Sequence, residues 1–80
     1  MNPADAAPGL IAAIGEGVLL EGFRLAGVDV MACDSEPDIL RAWTTLPPTT
    51  AVVLLTPRSA RALGAAVTAV SAPLIVVLPA

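Results

Sequence analysis

The residues best suited to chemistry follow three short apolar runs. Gly15-Glu16-Gly17 comes after the first run, Asp34-Ser35 after the second and Thr56-Pro57-Arg58 after the third. Two glycines around one residue can bring a backbone turn close to a phosphate, and a carboxylate or guanidinium can bind a charged group. The chain contains neither histidine nor lysine. A nucleophile at these positions would therefore have no ordinary base beside it, and we expect no catalytic residue.

The glycine pair allows two interpretations. A dinucleotide-binding turn requires a third glycine where Leu20 stands, and Glu16 would bring negative charge towards a pyrophosphate. A tight strand-to-helix turn is the simpler interpretation, although a nucleotide-binding remnant using Gly15 and Gly17 is kept as an alternative. A phospho-receiver site would need an acidic pair, a lysine, and an aspartate where Thr56 stands. These residues are absent, so we do not expect a phospho-receiver site.

Cys33 is the single cysteine, so it has no partner for an internal disulfide. With no histidine in the chain it belongs to no metal-ligand set, and no basic neighbour lowers its pKa. We expect a buried structural thiol. Together with the missing base, this predicts no enzyme, no metal site and no cofactor.

The composition favours a protein that is covered by a partner. Of its 80 residues, 56% are hydrophobic and only 14% are charged, and the net charge is −3. One small core cannot bury so many apolar side chains, so some should lie on a surface that another molecule covers. The four arginines form no basic footprint, which argues against nucleic acid as a partner.

No segment is expected to insert into a membrane. The longest apolar run, 72–80, is interrupted by Pro73 and Pro79 and is far shorter than the roughly 20 residues that a bilayer requires. The N-terminus lacks the basic start and apolar stretch of a signal peptide. A cytoplasmic protein is expected.

Apolar patterning predicts an N-terminal arm over 1–8 and a single α/β domain over 9–80. Runs rich in β-branched residues predict strands buried on both faces at Leu10–Ile14, Val28–Cys33, Ala51–Leu55 and Leu74–Leu78. Between them, positions i, i+1, i+4 and i+7 predict three helical stripes, at Leu19/Leu20/Phe23/Ala26, Ile39/Leu40/Trp43/Leu46 and Leu63/Gly64/Val67/Val70. The alternation predicts a small, open, four-stranded parallel sheet of flavodoxin-like type with helices on both faces.

Local signals mark the ends of the helices. Gly27 suits the left-handed residue that closes the first helix. Asp34 or Ser35 can cap the second helix, which Pro47-Pro48 ends. Ser59 is predicted to cap the third helix, which continues to 71–73.

The apolar surplus lies on particular elements. Val18 and Leu25 fall outside the first helical stripe, and the third helix is nearly free of charge after Arg61. In the usual flavodoxin-like strand order, Leu74–Leu78 would form an exposed apolar edge. Binding to a partner would account for these observations.

The order of several sequence blocks resembles the F subunit of V-type and archaeal A-type rotary ATPases. The blocks are Leu10–Ile14 with Gly15-Glu16, then Gly22-Phe23-Arg24-Leu25-Ala26-Gly27, Asp34-Ser35-Glu36-Pro37, Leu54-Leu55-Thr56 and Pro73-Leu74-Ile75-Val76-Val77-Leu78-Pro79. The resemblance spans most of the chain and implies a four-stranded parallel sheet between helices. Members of that family usually start at the first strand and carry a further helix after the last one. We do not expect the roles of that helix in residues 1–80.

The resemblance implies a non-catalytic central-stalk subunit. Such a subunit docks on the coiled-coil D subunit, turns with it and helps couple ATP turnover to ion transport. We expect apolar helix and sheet-edge residues to bind this partner, with Glu16 and Arg58 as a polar rim and Val18, Leu25, Leu74, Val76 and Leu78 as contacts. A self-associating flavodoxin-like interaction module is the alternative.

Overall fold

The computed structural model describes residues 9–69 and 72–79, so the predicted arm over 1–8 lies outside the described residues. The elements are β1 (Leu10–Gly15), α1 (Gly17–Arg24), β2 (Asp29–Ala32), α2 (Glu36–Thr44), β3 (Thr50–Leu55), α3 (Pro57–Leu63), a 3₁₀ helix (Gly64–Thr68) and β4 (Leu74–Val77). All neighbouring strands are parallel, in the order β2-β1-β3-β4. The predicted flavodoxin-like fold is confirmed.

The helices divide between the two faces of the sheet. Helix α1 packs on β1 and β2 on one face, which we call the α1 face. Helices α2 and α3 contact each other on the opposite face, the α2–α3 face. Because side chains alternate along a strand, each face has its own apolar core. The α2–α3 core is Ile14, Cys33, Ile39, Val53, Leu55 and Leu63, and the α1 core is Ala13, Leu20 and Val30.

Two of the predicted helix ends are confirmed in their geometry. Gly27 has a φ of +84°. Its N–H donates to the Arg24 carbonyl at 3.1 Å, and the Val28 N–H donates to the Phe23 carbonyl at 3.2 Å. This pair of bonds is the Schellman arrangement that closes a helix. At the start of α2, the Ser35 hydroxyl accepts a hydrogen bond from the Asp38 N–H at 3.3 Å.

The third helix differs from its prediction at both ends. Thr56 caps α3, because the rigid ring of Pro57 occupies the first helical position and the residue before it becomes the cap. Ser59 therefore lies inside the first turn, so its prediction as the cap was wrong. The α-helix ends at Leu63, since Gly64 has a φ of +54°, and a 3₁₀ turn follows. Val70 and Ser71 lie outside the described residues.

The predicted helical stripes were too wide. Leu20 and Phe23 pack into the α1 core, and Ile39 and Trp43 into the α2–α3 core. Leu19 and Leu40, which belonged to the same stripes, are about half exposed. Helices of eight and nine residues bury only a narrow strip against the sheet.

Replacing Gly27 by alanine should lower the free energy of unfolding by about 1 kcal/mol, because a left-handed φ is unfavourable for a residue with a Cβ. The matched control is Gly22→Ala in the middle of α1, where an added Cβ would meet no described atom outside the neighbouring helix backbone within 4 Å. This control should raise the free energy by about 0.5–1 kcal/mol through helix propensity. Urea denaturation measures both changes, and equal effects would contradict the assignment of Gly27 as the helix end.

Candidate functional site

A polar cluster lies where β1 and β3 end. The Thr56 hydroxyl is fully buried and donates to Glu16 Oε1 at 2.7 Å. The Thr56 hydroxyl oxygen also accepts a hydrogen bond from the Ser59 N–H at 3.4 Å and lies 3.1 Å from Ser59 Oγ. Serine, threonine and carboxylate thus form one chain of hydrogen bonds that strengthen one another. The cluster ties the starts of α1 and α3 together.

Gly15 makes this contact possible. A Cβ at Gly15 would lie 2.4 Å from both the Oγ1 and the Cγ2 of Thr56. The space that a Cβ on Gly15 would occupy is therefore filled by Thr56. The expectation of a tight strand-to-helix turn accounts for Gly15, whereas the nucleotide-binding alternative through Gly15 and Gly17 gains no support.

The pKa of the Glu16 carboxyl depends on Thr56 and on two arginines of α3. The hydrogen bond from Thr56 lowers the pKa of the Glu16 carboxyl, desolvation opposes that change, and the charges of Arg58 and Arg61 add to the lowering. The Arg58 guanidinium donates from Nη2 to the Asp34 backbone carbonyl at 3.0 Å. The loops after β1, β2 and β3 are thus joined by polar contacts. Glu16 and Arg58 lie at the strand ends where the sequence predicted them, whereas the role of Thr56 was not predicted.

Cys33 lies next to this edge but is poorly suited to reaction. It is buried in the α2–α3 core, and its Sγ lies 3.5 Å from the Met31 carbonyl oxygen. Burial raises the pKa of its thiol, and the carboxylates of Asp38 and Asp34 raise it further. Because the thiolate is the reactive form, this environment suits a structural residue.

On the α1 face, none of the described elements covers the half of the sheet formed by β3 and β4. Leu74 and Val76 of β4 are 66% and 41% exposed. In register with them on β3 lie Val52 and Leu54, which are partly buried. Side-chain alternation puts all four on the same side as α1, since Leu54 packs against the α1 core. Strands β3 and β4 are thus not buried on both faces, contrary to the prediction.

One flank of α1 borders this open half. A Cβ built on Gly17 would lie 3.3 Å from the Cβ of Ala32 in β2 and 4.0 Å from Glu21 Oε1, so Gly17 and Glu21 mark the flank that faces β2. Leu19 lies about 200° around the helix from Glu21, on the flank towards β3. Ile11 of β1, also about half exposed, is in register with Val52 of β3. We call this surface the open apolar face: Ile11, Leu19, Val52, Leu54, Leu74 and Val76.

The other predicted contacts of α1 and β4 occupy different positions. Val18 and Leu25 are 88% and 94% exposed and lie on the outer side of α1, away from the sheet. Leu78 follows β4 and is half-buried against the α1 core. Glu21 and Arg24 form an exposed ion pair at 3.1 Å on the flank towards β2. The described surface of α1 is therefore apolar on its outer side and towards β3.

The hydrogen-bonding edge of β4 is less accessible to another strand than its side-chain face is to a packing partner. The Leu78 N–H donates to the Leu55 carbonyl at 2.8 Å, so by alternation Leu74 and Val76 also direct their backbone groups towards β3. The backbone groups that point away from β3 belong to positions 73, 75, 77 and 79. Two of these positions are Pro73 and Pro79, which have no N–H. Proline at edge positions limits the addition of another strand. The exposed apolar surface is therefore mainly a face.

The fold and these surfaces define a small flavodoxin-like domain whose polar edge is joined by hydrogen bonds and whose described elements leave half of one sheet face uncovered. A family model described as "ATP synthase (F/14-kDa) subunit" matches residues 11–80. The chain belongs to this family, the F subunits of V/A-type ATP synthases, which confirms the resemblance. It is a subunit of a rotary, membrane-associated complex of ATP synthesis and ion transport.

A search among curated proteins gave no match. In the part of the chain that the structure describes, no helix is both long enough and apolar enough to cross a membrane.

The contact of Thr56 with the Glu16 carboxylate should make stability depend on pH. Because the pKa of Glu16 is lowered in the folded state, its ionised form stabilises the fold above the unfolded pKa, and that stability is lost as the pH falls through the folded pKa. Glu16→Gln should lower the urea midpoint at pH 7 and have a progressively smaller effect below about pH 4.5. Glu21→Gln is the control on an exposed pair, and an identical pH profile for both variants would contradict the assignment.

Cys33 should react slowly with a thiol reagent in the folded protein, because its thiol is buried and its pKa is raised. Labelling with 5,5′-dithiobis(2-nitrobenzoate) at pH 7.5 should be at least about tenfold slower without urea than in the unfolded chain. Equal rates in the two states would show that Cys33 is accessible.

Proposed function

We propose that this chain is a non-catalytic central-stalk subunit that docks on the coiled-coil D subunit of the complex. Docking would hold it on the rotor and help couple ATP turnover to ion transport. It would act on the cytoplasmic side, peripheral to the membrane. The observation that carries the proposal is the open apolar face of a chain that belongs to the F-subunit family.

The shape of the open apolar face suits a helix. Its floor is the flat surface of β3 and β4, and its wall is the flank of α1 that carries Leu19. Helices pack about 8–10 Å from a neighbouring helix, so a second helix beside α1 would cover β3 and β4. Its apolar seam would meet Leu74 and Val76, which are now exposed. A coiled coil supplies such a helix, although part of its apolar seam already faces its own partner strand.

The outer side of α1 offers a second contact. Val18 and Leu25 are seven residues apart, which is the repeat of a coiled-coil stripe, and Gly22 lies between them. Apart from the backbone of its own helix, no described atom lies within 4 Å of a Cβ built on Gly22, so a partner helix can approach α1 closely there. The polar rim of the interface would be formed by Glu16 and Arg58 at the carboxyl ends of the strands. Glu16 is partly exposed and Arg58 is exposed.

Co-expression with the cognate D subunit should give a complex that stays together in size-exclusion chromatography at micromolar concentration. Leu74→Gln/Val76→Gln should weaken that complex by about thirtyfold or more, because burying two glutamines in place of two apolar side chains costs at least about 2 kcal/mol. Leu40→Gln is the matched control, an exposed leucine of α2 on the opposite face. Separate elution of the wild-type proteins would contradict the proposal.

Self-association is the second candidate function, because the same face could be covered by another copy. Exposed apolar side chains also lie outside it, at Leu10, Val18, Leu25, Leu40 and Val77. Analytical ultracentrifugation distinguishes the two candidates. A dimer that D does not dissociate would favour the interaction module, whereas a monomer that binds D favours the stalk subunit. Because of Pro73 and Pro79, pairing between two β4 edges would be limited to few hydrogen bonds.

A further inference from the structure

Strand β2 forms one edge of the sheet, and among the described residues it is bonded to β1 alone. The Cys33 N–H donates to the Gly15 carbonyl at 2.8 Å, so the backbone of Cys33 points towards β1. By alternation the backbone groups of Met31 point the same way, whereas those of Val30 and Ala32 point outwards. Unlike the edge of β4, this edge contains no proline. It can therefore accept another strand.

The free backbone groups of this edge are concentrated on two residues. Before them, the N–H of Val28 is already used in the hydrogen bonds that close α1. After them, the carbonyl of Asp34 already accepts a hydrogen bond from Arg58 at 3.0 Å. No described group pairs with the outward backbone of Val30 or Ala32. An added strand would thus be held mainly by these two residues.

A second copy of β2 matches them when it runs antiparallel about a twofold axis at Met31. Val30 of each copy then lies opposite Ala32 of the other, and the residues of each such pair exchange both N–H···O bonds. A pairing centred on Val30 would instead need Val28, and one centred on Ala32 would need Asp34, which are partly bonded already. The Met31-centred register therefore uses the free groups best.

Charges also match in the Met31-centred register. Met31 and Cys33 pack against the α2–α3 core, so alternation puts Asp29 on the same face. Asp29 of one copy would lie opposite Cys33 of the other. A groove beside β2 is lined by Cys33 and Arg41, so the Asp29 carboxylate would enter it near a guanidinium. That guanidinium is largely exposed, and its pairing with Asp38 at 3.5 Å leaves donors free.

We propose that β2 pairs with β2 of a second copy in the Met31-centred register, and that Asp29 of each copy pairs with Arg41 of the other. The two four-stranded sheets then become one continuous sheet. Because few groups take part, the dissociation constant should be about 0.1–1 mM. The contact lies at the edge opposite β4, so it leaves the open apolar face free and does not depend on the proposed function. At low micromolar concentration the chain would be almost entirely monomeric, so binding to D can be tested separately.

The first test uses charge reversal and sedimentation equilibrium of the full chain up to about 2 mM. Asp29→Arg and Arg41→Glu each bring like charges together and should each weaken the dimer at least about tenfold. An equimolar mixture of the two variants should dimerise again, because each then meets the opposite charge on the other. A wild-type chain that stays monomeric at the highest concentration, or a mixture that shows no recovery, would overturn the proposal.

The second test addresses the backbone bonds. Ala32→Pro removes an outward N–H at an edge position, where proline is tolerated, and should weaken the dimer about thirtyfold because each dimer loses two hydrogen bonds. Ala32→Ser keeps the N–H and is the matched control. In the wild type, amide exchange at Val30 should slow as concentration rises, whereas exchange at Val77 on the other edge should not. A dimer that survives Ala32→Pro but is lost in Leu74→Gln/Val76→Gln would form through the open apolar face and would overturn the assignment.

Discussion

The polar edge of this domain depends on one buried hydroxyl. Thr56 directly follows β3, caps α3 and donates to Glu16 at the start of α1. A single side chain thus fixes the starts of two helices that lie on opposite faces of the sheet. The contact requires Gly15, because any larger residue would collide with Thr56. In many open α/β proteins this edge is kept free for a ligand. Here Thr56 occupies the space beside Gly15, and its hydroxyl pairs with Glu16 and Ser59 of the same chain.

Much of the fold could be predicted from the sequence because its local signals agree with one another. Four apolar runs, three helical spacings and a left-handed Gly27 each indicated the same β-α alternation. The caps were less certain, since Thr56 and Ser59 are both good capping residues and only the position of Pro57 decides between them. Apolar spacing also continued past Leu63, so the end of α3 at Gly64 could not be found by periodicity.

The open apolar face could not be predicted because periodicity does not show which side of a strand is covered. Val52, Leu54, Leu74 and Val76 belong to runs that read as buried on both faces, and their exposure depends on where α1 lies. The prediction named Leu74 and Val76 as contacts of a strand edge, yet their side chains belong to a face. Ile11 and Leu19 complete that face and were missed, since they had been taken as core residues.

The distribution of charge on α1 has a consequence for the fate of the unassembled chain. Its ion pair faces β2, so no described charged residue of α1 interrupts the apolar surface that runs from Leu19 to β4. A newly made copy that has not met a partner presents this surface to chaperones and proteases, which recognise exposed apolar segments. The cellular amount of such a subunit would then follow the supply of its partner, with surplus copies removed before they aggregate.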